Sequence, residues 1–85
     1  MESISDGLRT IYNLIDRGYI DNALWEITEL EQYLIANSPG LIEKYYLKTY
    51  FMKWRNRLLR PQPNNTRRIL EEIELLANKL ENIAF

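Results

Sequence analysis

Cysteine and histidine are both missing from this chain of 85 residues. Without cysteine there is neither a disulfide framework nor a thiolate metal site. Without histidine the commonest general base is gone, and the best thiol nucleophile goes with cysteine. Glycine is scarce, three in all, and none lies in a phosphate-cradling loop or a nucleophile elbow. No apolar run approaches the ~18 residues that a membrane span needs. The opening MESISDGLRTI is acidic and amphipathic, unlike a basic-then-apolar secretion signal. The expected location is therefore the cytoplasm, with no membrane as a partner.

The remaining carboxylates offer little for catalysis. Asp16, Asp21 and Glu26 lack the spacing and turn glycine of a calcium loop. Glu26 and Glu29 lack the Glu-x-x-His partner of a bundle metal site. Glu71, Glu72 and Glu74 crowd one turn, most of which is expected to be a solvated face near a helix start. The sequence predicts no enzyme, no cofactor and no metal site.

What is present is an ordinary globular composition, 46% hydrophobic and 27% charged, in a length that makes one domain over 1–85. Charge is unevenly placed along it. Residues 1–40 carry seven acids against Arg9 and Arg17, a net −5; residues 41–68 carry eight bases against Glu43, a net +7. Residues 69–85 carry four acids against Lys79, a net −3. Such segregation marks either interaction surfaces or charges that pair on folding.

Hydrophobic spacing predicts four helices and no strand. Ile4, Leu8, Ile11 and Ile15 form the first stripe, with Ser3 or Ser5 as cap and Gly18 just past the end. Asp21 or Asn22 is expected to cap a second helix, whose stripe is Ala23, Leu24, Ile27, Leu30 and Leu34. Glu31 falls at that stripe's edge and is expected to reach outward. Ser38 and Pro39 restart the chain. Pro61 and Pro63 end the third helix, and Asn64, Asn65 or Thr66 caps the fourth. In the fourth, Ile69, Ile73, Leu76, Leu80 and Ile83 follow a heptad seam, widened by Leu70, Ala77 and Ala84. The fold class expected is all-α, a compact bundle of four short antiparallel helices arranged as two αα-hairpins.

The third helix, read over 39–59, is apolar on three sides: Leu41, Tyr45, Met52 and Leu59; Leu47, Phe51, Trp54 and Leu58; Ile42, Tyr46 and Tyr50. That width predicts a central helix touching several neighbours or a partner chain. Lys44, Lys48 and Arg55 form one basic stripe, and Lys53, Arg57 and Arg60 another. Lys44 and Lys48 are expected to meet the acidic second helix.

The stretch RGYIDNAL at 17–24 resembles the turn between the two helices of a tetratricopeptide repeat, with Gly18 and Ala23 five apart and Ile27 at a large apolar position. Leu14 and Ile11 depart from that pattern, and no second copy appears at the ~34-residue spacing of such arrays. The resemblance implies a tight helical hairpin, and the chain is not assigned to the family.

These features predict a small non-catalytic helical module that acts through protein–protein contact, a regulator or adaptor that self-associates as a homo-oligomer. The candidate contact surface is Trp25, which lies opposite the apolar stripe of its helix, with Tyr33, Tyr46, Tyr50 and Trp54. The alternative is nucleic-acid binding by the cluster Arg55, Arg57, Arg60, Arg67 and Arg68 around the Pro-rich turn, where guanidinium forks suit phosphate. A sequence pI near 5.4 gives no general attraction to phosphate.

Overall fold

Helix α1 (Ile4–Asp16) starts where the sequence offers a hydroxyl. In the computed structural model, which describes residues 3–60 and 62–81, Ser3 Oγ accepts from the Asp6 amide at 3.1 Å and the Asp6 carboxylate accepts from the Ser3 amide at 3.3 Å. This reciprocal capping box satisfies two amides that the first turn leaves without partners. The helix ends at Gly18, whose φ of 84° lies in the left-handed region. There the Tyr19 amide donates to the Leu14 carbonyl and the Gly18 amide to the Ile15 carbonyl, a Schellman closure. The turn is so tight that α2 (Ile20–Asn37) begins at once, with Tyr19 as its cap. Asp21 and Asn22 are therefore inside the first turn rather than capping it. A Cβ at Gly7 would stand 3.1 Å from Leu30 Cδ1, so glycine lets α1 and α2 approach at that point.

The region expected as one helix over 39–59 is two. Helix α3 (Pro39–Lys44) is a single short element, and α4 (Leu47–Leu59) follows after Tyr45 and Tyr46. Tyr46 takes φ 56°, ψ 36°, the only non-glycine positive φ among the described residues. Ser38 and Pro39 do begin α3, although the Ser38 side chain makes no capping bond. Helix α5 (Pro63–Lys79) also starts early, capped by Gln62 with Pro63 at its first position. Asn64, Asn65 and Thr66 are thus already helical. Pro61, Ile83 and Ala84 lie outside the described residues.

Among the described residues the fold is all helix, with no strand. Helix α1 packs against α2 and α5, α4 packs against the same two helices, and α3 bridges α2 and α4. The 39–59 segment is consequently not a central rod. Neither of its halves approaches α1 within 8 Å between Cα atoms. The core joins Ile4, Leu8, Ile11 and Ile15 of α1, Ala23, Ile27, Leu30 and Leu34 of α2, Leu47, Phe51, Trp54 and Leu58 of α4, and Ile69, Ile73, Leu76 and Ala77 of α5, with Leu80 just beyond it. Only one of the three apolar sides read on the third helix is therefore in the core. Met52 and Leu59 are exposed, while Leu41, Ile42, Tyr45 and Tyr50 are partly buried around it. The radius of gyration, 11.9 Å, matches the ~12 Å of a compact globule of this length.

Candidate functional site

The aromatic residues named from the sequence do not form one surface. Trp54 is fully buried. Its ring lies edge-on to Phe51 at 5.6 Å between centroids and tilted to Tyr50 at 5.8 Å, geometries that suit ring quadrupoles. It presents no surface to a partner. Tyr50 is half-buried beside it, under the Lys53 ammonium at 5.6 Å from its centroid. Tyr45, also partly buried, has Lys44 at 5.5 Å and Lys79 at 5.9 Å. That contact ties the α3–α4 junction to the end of α5.

Trp25, Tyr33 and Tyr46 are exposed. Trp25 is 61% exposed, and its direction follows from helix phase: the buried residues Ala23, Ile27, Leu30 and Leu34 occupy the other side of α2, about 170° away at ~100° per residue. Tyr33 lies about 12 Å further along the axis and about 80° around it. Asp21 and Glu29 stand one turn before and one turn after Trp25, and α2 contains no lysine or arginine. Tyr46, 73% exposed, holds its left-handed backbone without burying its ring.

The five arginines divide in the same way. Arg55 reaches across to α2, where Nη2 donates to Glu31 Oε1. Glu31 therefore turns to α4 instead of outward to solvent. Among the described residues it is Arg55, rather than Lys44 or Lys48, that pairs with the acidic second helix. Arg57 Nη1 donates to Glu72 Oε1 at 3.0 Å. The Trp54 Nε1–H donates to the same oxygen at 3.0 Å, and Lys53 Nζ stands 3.9 Å from Glu72 Oε2. Glu72, expected on a solvated face, is instead the carboxylate that satisfies the buried indole and joins α4 to α5. Its signal in the sequence is faint, a place directly before Ile73 at the seam's edge.

Arg60, Arg67 and Arg68 are exposed, with no ion pair among the described residues. Arg57 and Arg60 line a groove of ≈ 470 Å³ at the α4–α5 junction with Asn56, Leu59 and Asn65. Leu59 is 68% exposed there, so the groove combines an apolar wall with guanidinium and amide donors. Sequence reading named Arg57 and Arg60 at this end but missed its apolar wall, because it assigned Leu59 to a packed side. Met52 and Ile35 are also exposed, each within one turn of the Arg55–Glu31 bridge on its own helix.

Among the described residues no group of three carboxylates could hold a metal ion, and no helix is long and apolar enough to cross a membrane. In comparisons with known proteins, the chain matches no family model, no curated protein and no solved structure.

Proposed function

We propose that this chain is a non-catalytic helical module that works by protein–protein contact, as a self-associating regulator or adaptor. The observation that carries this reading is Trp25, a large ring held 61% exposed between Asp21 and Glu29 on the side of α2 opposite its buried residues. Tryptophan in such a position is the residue type most enriched among interface anchors. Tyr46 supports the same reading. A left-handed backbone at a bulky residue costs about 1–2 kcal/mol, and its exposed ring returns no burial to the fold. The reading takes the four long helices as antiparallel neighbours in two hairpins, the arrangement that the Gly18 turn and the short α3 link favour.

Nucleic-acid binding by the arginine end is the second reading. Arg55 and Arg57 are already engaged by Glu31 and Glu72, which leaves Arg60, Arg67 and Arg68 to attract phosphate. The two readings separate in one experiment. Bait protein is used to capture partners from the native host, as wild type and with Trp25→Ala plus Tyr46→Ala. Loss of the captured protein, or of the oligomer mass, in the double variant is the expected outcome. Capture that is unchanged in the double variant, or nucleic acid released by salt, would contradict it.

A further inference from the structure

Resting on the reading of Trp25 as an anchor, we infer that its occupant is a second copy of this chain, docked through the groove between α4 and α5. Both halves of such a contact are present on one molecule. The projecting half is Trp25, flanked by Asp21 and Glu29 on a helix without a cation. The receiving half is the groove lined by Arg57, Leu59, Arg60, Asn56 and Asn65, with Arg67 and Arg68 exposed on the adjoining helix.

Their chemistry is complementary at each point. An indole can rest against exposed Leu59 and offer its face to a guanidinium, the pairing that cation–π attraction favours most. The carboxylates flanking it would meet Arg60 and Arg67, for which arginine's fork is suited. At ≈ 470 Å³ the groove falls within the size of clefts that hold small organic groups, about 300–1,000 Å³. The chain's net charge of −1 gives two copies little overall repulsion, so local segregation of charge sets the orientation. Reciprocal exchange of Trp25 closes a pair, whereas one-way exchange leaves an anchor and a groove open for further copies.

Charge reversal tests this directly. One variant carries Asp21→Lys and Glu29→Lys; the other carries Arg60→Glu and Arg67→Glu. All four positions are exposed, and circular dichroism checks that both variants fold. Native mass is measured at about 0.01 M and about 1 M salt, where the Debye length is about 30 Å and about 3 Å. Wild type is expected at multiples of 10.2 kDa in low salt, shifting toward monomer in high salt. Each variant alone should be monomeric, and their equimolar mixture should regain the complex, because every reversed surface then finds its opposite. A wild type that is monomeric at every concentration overturns the inference. So do variants that still self-associate, a mixture that stays monomeric, or assemblies that contain nucleic acid. A monomeric wild type whose captured host protein still depends on Trp25 would overturn the second copy alone; indifference of both mass and capture to Trp25→Ala would overturn the anchor reading as well.

Discussion

Replacing Glu72 with alanine removes three interactions through one side chain, and the structure sets how much each matters. The largest concerns Trp54, whose ring is fully buried and whose Nε1–H has Glu72 Oε1 as its acceptor at 3.0 Å. A buried donor left without a partner costs about 1–3 kcal/mol. The Arg57 ion pair adds less. Both its side chains are 21% exposed, so the guanidinium can rehydrate, and a pair of this kind contributes about 0–1 kcal/mol. Lys53, at 3.9 Å and 44% exposed, adds nothing measurable. The expected total is about 1–4 kcal/mol. A domain of this length has about 4–13 kcal/mol of stability in all, and the melting temperature should fall by about 5–30 °C. Glu72→Gln keeps an acceptor for the indole and loses only charge, so it should stay within about 1 kcal/mol of the parent. Urea unfolding, followed by far-ultraviolet circular dichroism and by fluorescence in a Trp25→Phe background, reads Trp54 alone. If alanine and glutamine variants unfold at the same urea concentration as the parent, Glu72 does not hold the indole, and the account of the α4–α5 seam is wrong.

Two further substitutions probe the backbone. Gly18→Ala should destabilise by about 1 kcal/mol through its left-handed φ alone, since a Cβ there would meet no atom within 4 Å; asparagine at the same position should recover part of the loss, and chemical denaturation measures both. Tyr46→Gly should leave stability unchanged or raise it by up to about 1 kcal/mol, because the ring it removes is exposed, while reducing association in the same preparation; a clear loss of stability would mean that the Tyr46 ring contributes to the fold.

The parts of the structure legible in the sequence are those written in local spacing. The buried faces of α1, α2 and α5 follow the 3.6-residue period, and Gly18 announces the first turn by its lack of a Cβ. The break at Tyr46 was not legible. No glycine or proline marks it, and the apolar residues on both sides of it are compatible with one continuous helix. A residue in the left-handed region changes the helix phase, so Leu41 and Ile42 cease to share a frame with Met52 and Leu59. The apparent breadth of the 39–59 segment is two narrower elements read as one. Start positions shifted for a related reason, since Tyr19 and Gln62 cap α2 and α5 with no side-chain hydrogen bond to announce them. Trp25 was placed correctly on an outward side by helix phase alone. The roles of Glu31 and Glu72 depend on which helices become neighbours, and periodicity within one helix carries no such information.

The division of labour between the two tryptophans is open to a single spectrum. With 5-fluorotryptophan in place of both, fluorine resonance separates Trp25 from Trp54, and single replacements assign them. The Trp25 signal should respond to exchange of H₂O for D₂O and should shift or broaden as the protein is concentrated or its partner added, while that of Trp54 stays fixed. A Trp25 resonance indifferent to concentration and partner, with the complex nonetheless formed, would place the contact elsewhere and contradict the account.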